Sequence, residues 1–275
     1  GDMRCRGFLL GGTSGRTTLN GEGLQHADGH SHLMASTIPN CVSYDPSYAY
    51  EVAVIIHEGL RRMLKEQEDI FYYITLVNEN YRHPPMAEGI GAGILKGMYL
   101  LQSESNGDAK APRVQLMGSG TILREVLAAA ELLKNDFGVA ADVWSVPSFT
   151  ELRRDGLETE RWNMLHPAKP QKRSYVETCL AERPGPVVAA SDYIKAFADQ
   201  IRPYVPRRYK VLGTDGFGRS DYRARLRSFF EVDRHYVTLA ALKSLADEEQ
   251  VPVSRVTAAL KKYNIDPERP NPVKV

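Results

Sequence analysis

Cysteine is scarce in this chain. Cys5, Cys41 and Cys179 are odd in number and lack metal-type spacing. That excludes a disulfide framework and a Cys-based zinc site, and it predicts a reducing, cytoplasmic compartment. Charge imbalance is absent too. Thirty-five Lys and Arg face thirty-four Asp and Glu, for a formal net charge of +1. No global field draws in nucleic acid or an anionic membrane, so neither is expected as a partner. No apolar run is long enough to span a bilayer, and there is no internal repeat or low-complexity tract. A signal-peptide pattern is also missing. Residue 1 is Gly, and a short charged lead runs straight into apolar Gly7-Phe8-Leu9-Leu10. The opening resembles the interior of a protein, so a fragment or one subunit of a split enzyme is expected.

What is present is the composition of a globular protein: 275 residues, 43% hydrophobic and 25% charged. Short apolar runs predict strands over 7–12, 38–44 and 69–77, with a polar loop over 13–32. Ala49, Val52, Ala53, Ile56, Leu60, Met63 and Leu64 recur at helical steps and predict a helix over 48–65, capped by Asp45 or Ser47. Residues 87–101 suit a helix or partly helical connector, weakened by glycines at 89, 91, 93 and 97. Residues 103–112 form the best linker in the chain. Beyond it, strands are predicted over 113–117, 142–146, 186–190 and 209–213. Helices are predicted over 121–135, 150–165 (broken by Gly156) and 192–205, then near 221–230, 233–248 and 254–263. Repeated β-α units require crossover connections, hence a mainly parallel sheet covered on both faces. The fold class is α/β, with part of one domain over 1–85, a connector over 86–112 and a second domain over 113–275.

The densest group of titratable side chains is Leu24-Gln25-His26-Ala27-Asp28-Gly29-His30-Ser31-His32. Three readings of it stay open on residues alone. It is a solvated polar loop, or a metal site that lacks further ligands of suitable spacing, or an acid–base loop with one imidazole oriented by Asp28. Gly118-Ser119-Gly120 follows a strand and opens a helix, where tight packing explains it better than phosphate binding. The turn Gly213-Thr214-Asp215-Gly216-Phe217-Gly218-Arg219-Ser220-Asp221 reads structurally, with Asp221 or Ser220 capping a helix and Arg219 pairing with an acid. His57 is placed on a polar helix flank, and His166 at a helix end before Pro167.

One family carries these residues in this order. Gly11-Gly12-Thr13-Ser14-Gly15-Arg16-Thr17-Thr18-Leu19-Asn20-Gly21-Glu22-Gly23-Leu24-Gln25-His26, followed by Asp28-Gly29-His30-Ser31-His32, closely resembles the pyruvate dehydrogenase first component of the homodimeric bacterial type. The likeness continues through Ile38-Pro39-Asn40-Cys41, Ser43-Tyr44-Asp45-Pro46, residues 48–54, Asn78-Glu79-Asn80-Tyr81, residues 160–167 and the 213–221 turn. Asp28-Gly29-His30-Ser31-His32 is also similar, more distantly, to the Asp-Gly-x-Thr-His signature of transketolases, with Ser in place of Thr.

Family members are about three times this length, so the resemblance is to their C-terminal third. It implies that residues 1–85 end a transketolase-like middle domain that binds the pyrimidine of thiamine diphosphate, and that residues from 113 form a transketolase-type C-terminal domain. It implies the decarboxylation of pyruvate on thiamine diphosphate and transfer of the two-carbon unit to a lipoyl group of the acetyltransferase partner. The cofactor and its magnesium would be held mainly by regions absent from this sequence, in a homodimer or with a partner chain. His26 matches a family histidine that contacts the pyruvate-derived adduct, while Asp28 and His32 match polar active-site positions. The expected catalytic residues are therefore His26, Asp28 and His32, with no metal ligand in this chain. The rival expectations are a non-catalytic dimerisation or docking piece, and one subunit of a split thiamine-dependent enzyme.

Overall fold

The computed structural model describes residues 1–12, 14–21, 23–103 and 111–275. Two sheets organise them. The first has three parallel strands in the order β1 (Phe8–Gly11), β3 (Phe71–Thr75), β2 (Cys41–Tyr44). Helix α1 (Ser31–Ser36) precedes β2. Helix α2 (Ala49–Leu60) follows it and continues through one π turn, Arg61–Lys65. Val42, Tyr44, Ile55, Met63, Tyr72 and Ile74 fill the core between α2 and this sheet.

The second sheet has five strands, in the order β4 (Tyr99–Ser103), β6 (Ala140–Ser145), β5 (Arg113–Gly118), β7 (Val187–Ala190), β8 (Tyr209–Leu212). All pairings are parallel except β4 with β6, which is antiparallel and bulged between Leu100 and Gln102. One face carries α4 (Leu123–Phe137), α8 (Arg223–Phe229), α9 (Arg234–Asp247) and α10 (Val253–Lys262). The other carries α5 (Phe149–Leu165), α6 (Tyr175–Leu180) and α7 (Lys195–Asp199). The inner strands β5, β6 and β7 are buried on both sides, which is why they lack an alternating polar pattern.

The α/β class and the mainly parallel sheets agree with the expectation. Three details differ, and one cannot be compared. The 86–112 segment contains helix α3 (Gly91–Lys96) and strand β4, so part of the expected connector is an edge strand of the second sheet. The core of the expected linker, residues 104–110, lies outside the described residues. Helix α5 runs through Gly156 unbroken, because the ring of Tyr204 packs where a side chain would stand, 2.3 Å from a Cβ placed there. The expected helix over 192–205 is only the short α7 and a 3-10 turn at Arg202–Tyr204, since residues 191–194 are taken up at the junction between the sheets.

Candidate active site

The C-terminal ends of the parallel strands of both sheets point at one seam, and the loop residues 14–21 and 23–32 run along it. That is where α/β folds place ligands, because helix N-termini and free loops converge there. The sequence around Asp45 shows how the seam is made. Asp45 follows β2 directly, and its amide donates to Pro147 O at 2.7 Å. Its carboxylate accepts the hydroxyls of Thr75, at the end of β3, and of Ser119, after β5, each at 2.8 Å. Gly120 closes the turn with φ +49°, and a Cβ there would lie 2.7 Å from Asp45 Oδ2. Gly118-Ser119-Gly120 therefore serves close packing, as expected, and also supplies a partner for a buried acid. Burial pushes the Asp45 carboxyl up to about 7, with the charges of Asp192 and Asp28 adding to it and the Thr75 and Ser119 hydrogen bonds opposing it.

The loop is stitched to the second sheet residue by residue. Asp192, after β7, accepts the Thr17 amide at 3.1 Å, and its carbonyl accepts the Arg16 amide at 3.3 Å. Gly15 sits over that carboxylate with φ +75°, where no side chain fits. Burial raises Asp192 to about 6 against the nearby Arg227 charge. The Arg16 guanidinium crosses to the turn after β8 and donates to the carbonyls of Thr214 and, at 2.6 Å, Gly216. Ile194 N bonds Gly29 O at 3.2 Å, and Gly21 N bonds Asp221 O at 3.0 Å.

The three expected site residues take different positions on this frame. His26 closes the 3-10 turn Leu24–His26 and is partly exposed. Asp28 serves the backbone that follows it. Its carboxylate accepts the amides of His30 (3.1 Å) and Ser31 (3.0 Å) and the Ser31 hydroxyl, fixing the start of α1. His30 is exposed, and its Nε2 faces Arg16 at 3.4 Å. His32, on the first turn of α1, is entirely buried. Its ring stacks on Phe197 (centroids 4.9 Å) and meets Tyr193 edge-on at 4.8 Å, while Nε2 lies 2.9 Å from Thr75 Oγ1. Burial drives its pKa down to about 3, with the Asp28 charge opposing that shift, so the ring is neutral.

Around this loop the sequence reading missed a set of buried charges. Glu51 accepts the Tyr99 hydroxyl at 2.7 Å and the Ser145 hydroxyl at 2.6 Å, joining α2 to both β4 and β6. It also reaches back to the amides of Ser47 and Tyr48, so Glu51, not Asp45 or Ser47, holds the start of α2. Arg227 on α8 meets Glu79, Thr121, Thr17 and Glu125. These residues are tens to hundreds of positions apart, so only charged types inside apolar context, such as Glu51 on its helix, signalled them. Two expected details of the 213–221 turn are corrected. Arg219 lies over the Phe229 ring rather than against an acid, and Tyr222 rather than Ser220 or Asp221 is the N-cap of α8, its amide held by Asp221 Oδ1 at 2.8 Å and that of Arg223 by Asn20 Oδ1 at 3.0 Å. A cavity of about 520 Å³ opens beside the His26 turn, between Leu24, Arg219, Arg225 and Phe229. Another of about 530 Å³, between β8 and α9–α10, holds none of the expected site residues.

Comparison with known proteins gives this arrangement a family. A model of the pyruvate dehydrogenase E1 component middle domain matches residues 1–84, and one of the transketolase-like C-terminal domain matches residues 97–233. The pyruvate dehydrogenase E1 component of Pseudomonas aeruginosa is 65% identical over 274 residues, covering 99% of this chain.

The chain belongs to the pyruvate dehydrogenase E1 family.

The E1 component of Escherichia coli is 57% identical, again over 99% of the chain. The chain spans 31% of the first relative's length and 30% of the second's, and corresponds to the C-terminal part of such E1 chains. Among solved structures, transketolase from Campylobacter jejuni aligns over 86% of this chain and 31% of its own, with TM-score 0.61 and 17% identity. A split-gene transketolase, described as an inactive beta4 tetramer, aligns over 87% of this chain and 66% of its own, with TM-score 0.53 and 15% identity. These two likenesses establish the transketolase-type fold alone. Within that fold, no group of three or more His, Cys, Asp or Glu among the described residues has the geometry to hold a metal ion. No helix among the described residues is long and apolar enough to cross a membrane.

Proposed function

We propose that this chain forms one wall of the active site of a pyruvate dehydrogenase E1 enzyme. That enzyme decarboxylates pyruvate on thiamine diphosphate and acetylates the lipoyl group of an acetyltransferase partner. The observation carrying the proposal is the convergence of both sheets' strand ends on the 24–32 loop, in a chain 65% identical to an E1 component. In this reading His26, partly exposed on its turn, contacts the reacting substrate and exchanges protons with it. Asp28 sets the loop's backbone by capping α1, and His32 supports the loop from behind. The cofactor supplies the electron sink for decarboxylation. It and magnesium are held mainly by polypeptide outside this sequence. We assign residues 1–85 to the middle domain and 113–275 to the C-terminal domain, and place the enzyme in the cytoplasm as a homodimer.

Other polypeptide packs against this wall in the same reading. Phe217 is 77% exposed and Leu24 61%, and both stand beside the His26 turn, as apolar surface awaiting a cover does. Calorimetric titration of this chain alone with thiamine diphosphate and magnesium tests the assignment. Negligible heat is expected, and tight magnesium-dependent binding by the isolated chain would refute it.

A further inference from the structure

The wholly buried histidine ends a line of hydrogen bonds that the reading above leaves unused. His32 Nε2 stands 2.9 Å from Thr75 Oγ1, which stands 2.8 Å from Asp45 Oδ1. All three side chains are buried. Their donor directions follow from chemistry. An ionised carboxylate only accepts, so the single Thr75 hydroxyl proton goes to Asp45, and the Thr75 lone pair takes the Nε2–H of His32. His32 Nδ1 is then an acceptor, and it has no partner. The buried hydroxyl of Tyr193, whose ring is edge-on to His32, lies near Thr75 but makes no hydrogen bond of good geometry. Orphaned buried polar atoms are rare, and two in one aromatic box leave the His32 end of the line without a protein partner.

We propose that His32, Thr75 and Asp45 form a buried proton store serving the active-site loop. A proton released by an acid at the His32 end, which is left as its conjugate base, bonds to His32 Nδ1. The Nε2 proton then moves to Thr75 Oγ1, and the Thr75 proton moves to Asp45 Oδ1. His32 is neutral before and after, with its proton on the other nitrogen. Thr75 remains a hydroxyl, and Asp45 becomes a carboxylic acid. The reverse sequence delivers a proton at Nδ1.

The surroundings suit each member to its part. Burial holds Asp45 at about 7, so its charged and neutral forms are both accessible near neutrality. His32, held at about 3, transmits a proton without keeping it. The other titratable groups acting on Asp45 are Asp28 and Asp192, whose charges favour its neutral form, and Tyr73, Tyr81 and Tyr193, which burial keeps protonated. Ser119 bonds the other carboxylate oxygen from the second sheet, so storage is sensed on both sides of the seam.

The role in turnover rests on the reading that the 24–32 loop lines the active site. The presence of the store does not. Infrared difference spectroscopy of the full-length enzyme across neutrality tests it. A protonated-carboxyl band that titrates near 7 and disappears in Asp45→Asn is expected, and a spectrum unchanged by that variant would overturn the proposal. Should Asp45→Asn fail to fold, the Thr75 pair decides. Thr75→Val removes the hydroxyl at nearly equal volume, and turnover should fall by roughly tenfold or more with loss of the inflection near 7. Thr75→Ser should restore the inflection. A wild-type pH profile in Thr75→Val overturns the store, whereas an intact store with turnover indifferent to His26 would instead remove the active-site reading.

Discussion

The guanidinium of Arg227 is clasped by the carboxylate of Glu79, 148 residues earlier in the chain. Thr121 donates to the same carboxylate at 2.7 Å, and Arg124 does so at 2.6 Å. Burial pushes Glu79 upward, but these bonds and the two positive charges outweigh it and hold the group at about 2. The pair ties the segment after β3, on one side of the seam, to helices α4 and α8 on the other.

Arg227→Met should cost about 3 kcal/mol or more, because it leaves Glu79 buried without its main partner. The pH signature follows from linkage. A carboxyl whose folded pKa is depressed adds stability above its unfolded value near 4.5, and that stability disappears as pH falls toward 2. Urea unfolding at several acidic pH values checks both points: the variant should be weaker at neutral pH and lose less on acidification.

Glu51 makes a parallel case on the other side of α2. Glu51→Ala strands the hydroxyls of Tyr99 and Ser145 and the amides of Ser47 and Tyr48, all of which it now accepts. A loss of about 3 kcal/mol is expected, against about 1 kcal/mol for Glu51→Gln, which keeps a carbonyl acceptor. Equal losses in chemical denaturation would show that the carboxylate's bonds are not what joins α2 to the second sheet.

Backbone space under the loop gives a third expectation. A Cβ on Gly29 would lie 2.4 Å from Arg16 Nε, so Gly29→Ala must displace the guanidinium from the Thr214 and Gly216 carbonyls. We expect a loss of about 2 kcal/mol and faster amide exchange in both the 24–32 loop and the 213–221 turn. Exchange confined to the loop would mean that Arg16 does not couple them.

His32 carries a linkage of opposite chemistry. Its folded pKa is about 3 against 6.5 for the free group, so the unfolded chain binds more protons between those values. Stability therefore falls as pH drops through that window, by at most about 5 kcal/mol. Replacing His32 with Gln should remove this slope, while the raised Asp45 and Asp192, which bind protons more tightly when folded, keep the opposite one. An unaltered slope between pH 6.5 and 3 in His32→Gln would assign the acid sensitivity elsewhere.

The sequence made the α/β class legible because strands such as Val187 to Ala190 are apolar on both faces, and the helices between the strands repeat at helical steps. Strand β4 was not legible: short, antiparallel and bulged, it follows four glycines in a stretch with helical apolar spacing. Gly156 misled because its partner, Tyr204, lies 48 positions away in sequence. The 24–32 loop stood out by composition, yet composition could not say that His32 turns inward while His26 stays at the surface. Thr75 carried one signal, a hydroxyl inside the run Phe71-Tyr72-Tyr73-Ile74-Thr75-Leu76-Val77. The seam itself, with Arg16, Asp192, Glu79 and Arg227, exists only once residues up to 210 positions apart are brought together.

The central claim is that the His26 turn faces the chemistry of an E1 enzyme. Steady-state turnover of the full-length enzyme with pyruvate, wild type against His26→Ala, tests it most directly, with thermal unfolding run on the same samples. The account predicts a fall of about 100-fold in kcat with an unchanged unfolding midpoint, the loss expected for a positioned proton-transfer group. Turnover equal to wild type in a folded variant would contradict it.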